Sequence, residues 1–287
     1  MNVQIAEDVY GKLFYIPDKF MKDIDCIMIN LNSLLSPVFY DTVEEEVNSE
    51  KKLFILANSI IDIFKAQMIE RYSSKKVIFY YKDIYKEHIL RNLYPEWRIV
   101  DGKSESNSVG RKIYDIIDDA LMNLEKMGQI QVLKTSTEEH TYLPRIKVAS
   151  AKMKGNIIII SRDPMDLPNA IYKNISIWNG RHCYSMENIR LIKPLEFTNI
   201  TPVGVPWVLL IAGAPKKIGY KGIHGYGIVK AMKYISANLQ LISSPDEEIL
   251  EDETIAQEIK DILKYKPLFI YSEYLKYIDS LKNSKGD

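Results

Sequence analysis

Short apolar runs alternate along the first part of the chain with longer segments in which apolar residues recur every three to four positions. The short runs carry no charge and predict buried β-strands at Cys26–Ile29, Val77–Tyr81, Ile130–Leu133, Ile157–Ile160 and Ile175–Trp178. Strands that are apolar on both faces and separated by helices are typical of a mostly parallel sheet covered on both sides. The pattern therefore predicts an α/β fold.

Two longer segments have the helical period. Leu53 to Ile69 places apolar side chains near one face, namely Phe54, Ile60, Ile61, Phe64 and Met68. The segment from Val109 to Met127 does the same with Ile113, Ile116, Ile117, Leu121 and Leu124. The Asn179-Gly180 pair predicts a tight turn, so we expect Arg181–Met186 to return as an antiparallel edge strand.

The composition changes after Pro194, and from Pro206 onward the pattern is helical with clustered glycines. We therefore divide the chain into an N-terminal extension (1–23), an α/β domain (24–195) and a helical region (196–287) that contains a Gly-rich hairpin (213–235). An acidic stretch, Asp246 to Glu258, precedes a Tyr-rich helix, Phe269–Leu281. Because its carboxylates would repel phosphate, we expect this part to bind a protein partner or to brace the domain.

Charge is balanced, with 38 Lys and Arg against 38 Asp and Glu in 287 residues. The protein thus has no global basic field, and contact with nucleic acid requires a local basic patch. The cysteines, Cys26 and Cys183, lie in apolar stretches and are expected to be small buried hydrophobes and not a disulfide. Residues 1–22 lack the apolar core of a signal peptide and no run of about 18 apolar residues occurs, so we expect a soluble cytoplasmic protein without a membrane segment.

The hairpin carries the most informative motif, which runs from Gly219 to Ala231 and is rich in glycine. Glycines allow a tight turn between helices, and the N–H groups at the start of the second helix can bind a phosphate. Positive charge surrounds this turn at Lys216, Lys217, Lys221, Lys230 and Lys233. Such a hairpin would hold nucleic-acid backbone without reading bases; a plain helix–helix connection is the alternative.

The order of these parts resembles the flap endonuclease family of 5′–3′ exonucleases, which includes phage flap endonucleases and phage RNase H. The resemblance is carried by Gly219, Gly222 and Ile223 in the hairpin, by Leu93–Arg98, and by the strand Ile157–Asp163. The resemblance implies a PIN-like α/β domain with a mostly parallel sheet and an arch-like region at 82–110. It also implies a helix–three-turn–helix-like hairpin. It also favours a phage origin.

In the active family a cluster of carboxylates holds two divalent ions that activate water and stabilise the leaving oxygen. The resemblance assigns three remnant acids to these positions: Asp83, Glu138 and Asp163. Other family acids are replaced, at Asn30, His140, Thr141, Met165, Ala214 and Lys217, while Asp166 lies one place out of phase. We therefore predict no catalytic residues and no cofactor, and interpret the remnant acids as surface charges or helix caps. One weakly bound Mg²⁺ or Mn²⁺, assisted by His140 or Asp166, is the alternative.

Cations and aromatic residues also occupy the arch-like region, which in the family contacts the scissile phosphate or threads a single strand. Tyr81, Tyr85, Tyr94 and Trp97 could stack on bases or could pack in the core. The residues predicted to bind DNA are Lys216, Lys217, Gly219, Lys221, Gly222, Gly225 and Lys230 of the hairpin, and Lys86, Arg91 and Arg98 of the arch-like region.

Three functions remain open at this point. The first is a pseudo-nuclease that binds duplex or branched DNA and a protein partner in replication or transcription. The second is a residual metal-dependent 5′ nuclease acting on branched DNA or RNA. The third is a purely structural protein whose hairpin binds nothing. The balanced net charge is consistent with this alternative.

Overall fold

The computed structural model describes residues 10–40, 50–84, 90, 92–94, 108–136, 143–149, 152–185, 202–214 and 220–283. The chain forms two compact units. The first comprises Met1–Glu87 and Glu105–Ser185, and the second comprises His88–Ser104 and Met186–Asp287. The middle of the arch-like region thus groups with the helical part of the chain. The domain limits 1–23, 24–195 and 196–287 stay a prediction.

A six-stranded sheet organises the first unit. Its strands are β1 (Ile24–Asn30), β2 (Lys76–Lys82), β3 (Gln131–Thr135), β4 (Asn156–Ile160), β5 (Ile175–Trp178) and β6 (Cys183–Ser185). The order across the sheet is β3-β2-β1-β4-β5-β6, and all neighbours are parallel except β6, which runs antiparallel to β5. The predicted α/β fold, the apolar strands and the antiparallel return after Asn179-Gly180 are confirmed.

Helices cover both faces of this sheet. They are α1 (Lys12–Phe14), α2 (Asp18–Met21), α3 (Leu31–Tyr40), α4 (Glu50–Phe64) with a π-helical continuation (Lys65–Glu70), α5 (Ser108–Lys126), α6 (Leu143–Ala149) and a 3₁₀ helix (Pro164–Ile171). Successive strand residues face opposite sides: Phe79 packs in the core shared with α4 and α5, whereas Tyr80 packs in the core shared with the 3₁₀ helix. The carboxyl ends of β1, β2 and β4 therefore collect side chains on two distinct faces.

Part of the predicted N-terminal extension belongs to the first of these cores. Tyr10, Leu13, Phe14 and Ile16 are fully buried there. The indole N–H of Trp178 donates to the Leu13 carbonyl oxygen at 2.8 Å, which ties this segment to β5. Residues 10–16 are thus integral to the α/β unit.

The amphipathic helices agree with the sequence pattern except at one residue. In α5 the predicted face is buried or half-buried from Ile113 to Leu124. In α4 the prediction for Phe54 was wrong, since its side chain is 59% exposed. Leu53 takes the core-facing position in that turn, and consecutive helical residues point about 100° apart.

The second unit is helical in its described part. Its elements are a 3₁₀ turn (Pro202–Gly204), α7 (Val205–Ala212), α8 (Ile228–Ala237), a 3₁₀ helix (Leu239–Ile242), α9 (Asp246–Glu251), α10 (Gln257–Ile262), a 3₁₀ helix (Leu263–Leu268) and α11 (Tyr271–Asn283). The buried Lys266 ammonium forms an ion pair with Asp246 and lies 5.1 Å from the centroid of the Trp207 ring. The acidic stretch is thereby attached to the apolar helix α7, as a bracing element would be.

Cys26 and Cys183 form no disulfide; Cys26 is buried, as predicted, whereas Cys183 is only half-buried. Within the described ranges, no helix has the length and hydropathy needed to cross a membrane.

Candidate functional site

Asn30 ends β1 and begins the candidate site, in the position where the resemblance places a lost acid. Its side-chain oxygen accepts the Ser33 N–H at 3.1 Å, as the cap of helix α3. Because a backbone N–H can only donate, this bond fixes the amide orientation. The Asn30 Nδ2 group then points to the Asp166 carboxylate and donates to Oδ2 at 2.7 Å.

Asp166 is completely buried and lies at the centre of a hydrogen-bond network. Its Oδ1 atom accepts the Tyr80 hydroxyl at 3.0 Å and the Asn169 Nδ2 group at 3.3 Å. Burial, followed by the charge of Asp166, raises the pKa of the Tyr80 hydroxyl well above its usual value. Tyr80 therefore stays protonated near neutral pH and acts as a donor.

A second set of hydrogen bonds lies at the carboxyl end of β4. The Ser161 hydroxyl donates to Ser33 Oγ at 3.1 Å, and the Arg162 N–H donates to the same oxygen at 2.7 Å. Asp163 accepts the Met165 N–H at 2.8 Å and so caps the 3₁₀ helix that carries Asp166. Asp163 therefore stabilises the start of the 3₁₀ helix, which carries the buried Asp166 carboxylate.

Asp83, the remnant acid after β2, takes part in a different cluster. Its carboxylate lies 3.7 Å from the Lys134 ammonium on β3. That ammonium pairs more closely with Asp118 of α5, at 2.8 Å, and the Tyr81 hydroxyl donates to the same aspartate at 2.5 Å. These contacts lie on the face of the sheet covered by α5, whereas Asp166 lies on the face covered by the 3₁₀ helix.

The remaining predicted positions fall into two groups. Met165 and Ala214 are buried apolar residues. Outside the described residues lie Glu138, His140, Thr141, Lys216, Lys217, Gly219, Lys86, Arg91 and Arg98. Sequence reasoning noted Asp166 as out of phase but missed its partner Tyr80, which looked like an ordinary strand residue.

The described carboxylates at this edge, Asp83, Asp163 and Asp166, do not by themselves fit a pair of divalent ions. Mg²⁺ needs about six oxygen ligands, several of them anionic. Asp166 accepts protein hydrogen bonds on both oxygens, Asp163 caps a helix, and Asp83 pairs with a lysine. Within the described residues, no group of three or more His, Cys, Asp or Glu side chains is arranged to hold a metal.

Two glycines of the Gly-rich hairpin in the second unit adopt backbone conformations that a larger residue would strain. Gly213 and Gly222 have positive φ angles of 85° and 64°. A Cβ on Gly222 would lie 2.4 Å from the Gly213 nitrogen and 2.4 Å from the Ile211 oxygen. The Ile223 N–H donates to that oxygen at 2.8 Å, so the turn packs backbone against backbone.

Helix α8 begins directly after this turn, at Ile228, and its N-cap residue is Gly227, which has no side chain to cap it. The first N–H groups of a helix have no acceptor within it. A shallow groove of about 630 Å³ lies at this end and is lined by Gly227, Ile228, Val229, Lys230 and Lys233. The Lys230 ammonium lies 4.0 Å from the Tyr226 ring centroid, which holds its charge beside the groove.

Aromatic rings pack against the hairpin at Tyr220. Tyr220 packs against Tyr94, Tyr265 and Phe269, each ring centroid being 5.4 Å away. Of the aromatic residues considered for base stacking, Tyr94 thus contacts protein rings and Tyr81 is fully buried. Tyr85 and Trp97 lie outside the described residues.

No protein-family model matches the chain, and no curated protein matches it. Solved structures do. The zinc-bound 5′-exonuclease of bacteriophage T5 aligns with a TM-score of 0.56 at 14% identity, over 85% of this chain and 88% of that one. A T5 protein co-crystallised with metal ions gives 0.59 at 13%, over 90% and 94%.

A third similar structure is the T5 flap endonuclease in a pseudo-enzyme–product complex with DNA and metal ions. It aligns with a TM-score of 0.55 at 13% identity, over 85% of this chain and 88% of that one. The low identity means that these likenesses speak to the fold alone. Since they extend over most of both chains, the protein has the PIN-like fold of the flap endonucleases.

Proposed function

We propose that the protein is a catalytically degenerate, flap-endonuclease-like factor that binds the backbone of duplex or branched DNA without cutting it. Two findings support this function. The fold is that of nucleases solved with metal ions and, in one case, with DNA. At the carboxyl edge of its sheet, the described polar side chains form hydrogen bonds with one another.

The Asn30–Asp166–Tyr80 network is the observation that carries the proposal. Two-metal hydrolysis needs carboxylates whose oxygens are available to the ions that activate water. Here the fully buried Asp166 carboxylate is bound by protein donors at 2.7 and 3.0 Å. A divalent ion would have to displace these bonds and leave the amide and hydroxyl groups buried without acceptors, which costs about 1–3 kcal/mol for each group.

DNA binding is assigned to the hairpin and to the start of α8. Phosphate oxygens would accept the N–H groups at the helix end, where the helix dipole also favours negative charge. The exposed side chains of Lys221, Lys230 and Lys233 add positive charge in the same unit. Lys216, Lys217 and Gly219 are assigned to this surface from the sequence alone, as are Lys86, Arg91 and Arg98 of the arch-like region.

A protein partner in replication or transcription is part of the same proposal. The exposed acids Glu247, Glu248 and Glu251 of α9 would repel phosphate at close range. We therefore assign this surface to protein contact and not to DNA. The Lys266–Asp246 pair means that α9 also braces its own unit, so removing residues 245–287 is not a clean test of the partner.

Binding to the backbone predicts a characteristic salt dependence. Each neutralised phosphate releases about 0.9 counterion, and the hairpin offers few lysines. We expect the slope of log affinity against log salt to be roughly −2 to −4 on a random duplex, independent of sequence. Fluorescence anisotropy across a salt series measures it. A slope near zero, or no binding in low salt, would favour the purely structural protein.

A further inference from the structure

We propose that the Asn30 amide takes the place of a cation in this fold. It allows a buried carboxylate to lie beside the end of β1 with no bound ion. The inference goes beyond DNA binding, because it concerns the dependence of the fold on divalent ions. It rests on the mismatch between the carboxyl edge and a metal pair, and its test uses no DNA.

The geometry shows why position 30 is decisive. The side chain has to accept the Ser33 N–H at 3.1 Å and also contact Asp166 Oδ2 at 2.7 Å. Aspartate could perform the first task, since it is an equally good helix cap. Only asparagine performs both without help, because it presents an oxygen to Ser33 and an N–H to the carboxylate.

An aspartate at position 30 would bring two carboxylates to within hydrogen-bonding distance in a buried site. Such a pair can persist only if it shares a proton or binds a cation. Tyr80 and Asn169 do not remove the conflict, because each donates one neutral hydrogen bond to the opposite oxygen of Asp166. The amide of Asn30 therefore removes a requirement for an ion that an acid at this position would impose.

The pairing also connects distant parts of the chain. Asn30 and Asp166 are 136 residues apart, and Tyr80 lies beside Asn30 in the register of β1 and β2. The network thus joins the ends of β1 and β2 to the 3₁₀ helix through hydrogen bonds. In the parent protein, we expect melting temperature to be the same with EDTA as with millimolar Mg²⁺ or Mn²⁺.

The test is the melting temperature of full-length Asn30→Asp in EDTA and in millimolar Mn²⁺ or Mg²⁺. In EDTA we expect a decrease of about 10 °C relative to the parent, as is typical when a buried charge loses its partner. Mn²⁺ should restore more than half of this decrease in the variant. The control is Asn32→Asp, which adds the same charge in the same helical turn, where Asn32 contacts the Lys82 backbone and not Asp166. The melting temperature of Asn32→Asp should decrease less than that of Asn30→Asp, and Mn²⁺ or Mg²⁺ should not raise it.

A swapped variant covers the case in which Asn30→Asp does not fold. Asn30→Asp combined with Asp166→Asn restores one amide and one carboxylate in reversed positions. We expect it to recover most of the parent's melting temperature in EDTA, without ions. The proposal is overturned if the swap is no more stable than Asn30→Asp, or if Asn30→Asp is as stable as the parent in EDTA. It is also overturned if Mn²⁺ stabilises the parent, because the edge would then bind an ion as it stands.

Discussion

Replacing Gly222 with valine is expected to disrupt the hairpin and to weaken DNA binding more than the loss of any single lysine. Its Cβ would overlap backbone atoms of Gly213 and Ile211 at 2.4 Å, and its φ of 64° is strongly unfavourable for a β-branched residue. Strain and overpacking together should cost about 2–6 kcal/mol of unfolding free energy. The dissociation constant for a duplex should rise more than about tenfold, against a few-fold for Lys221→Ala.

Gly128→Ala is the matched control outside the hairpin. The φ of Gly128 is also positive, 72°, but a Cβ there has nothing within 4 Å. It should therefore cost only about 1–2 kcal/mol for the backbone conformation and leave affinity nearly unchanged. Anisotropy on a random duplex, with circular dichroism to verify folding, compares the two. A Gly222→Val protein that folds and binds like the parent would make the hairpin a simple connector.

Tyr220→Ala is expected to destabilise the second unit by about 3–5 kcal/mol, since it removes a large buried ring. The ring is only 3% exposed and contacts Tyr94, Tyr265 and Phe269, and its hydroxyl donates to the Leu210 carbonyl oxygen at 3.0 Å. Because these rings come from the arch-like region, the hairpin and the C-terminal segment, their loss should loosen all three together.

Tyr220→Phe separates packing from hydrogen bonding. It keeps the ring contacts and removes only the hydroxyl, so the expected cost is about 1 kcal/mol. Urea unfolding followed by aromatic circular dichroism measures both variants. If Tyr220→Ala costs no more than Tyr220→Phe, the aromatic cluster does not brace the hairpin.

The strands were predictable because the signal is local. The run Ile157–Ile160 is apolar without interruption, and only a strand covered on both faces hides such a run so compactly. The wrong prediction that Phe54 faces the core also comes from using a local signal alone. Apolar spacing identifies a stripe on a helix, but neighbours distant in sequence decide which edge of the stripe is covered.

The candidate site was predictable only in outline. The replacement of an acid by Asn30 was visible by resemblance, and so was the displaced Asp166. Their hydrogen bond was not, because it joins residues that are brought together by the pairing of β1 with β4 and by the 3₁₀ helix. Tyr80 carried no signal, since a tyrosine within an apolar run is equally consistent with core packing.

The most direct test of the account incubates the full-length protein with a labelled 5′-flap DNA in Mg²⁺ and in Mn²⁺, and measures binding and cleavage on the same samples. The account predicts a shifted complex that weakens with salt and no cleavage above the level without protein. Sensitivity comes from a parallel reaction with an active flap endonuclease. Robust cleavage that is abolished by Asp83→Ala or Asp163→Ala would contradict the account and identify the protein as a residual nuclease.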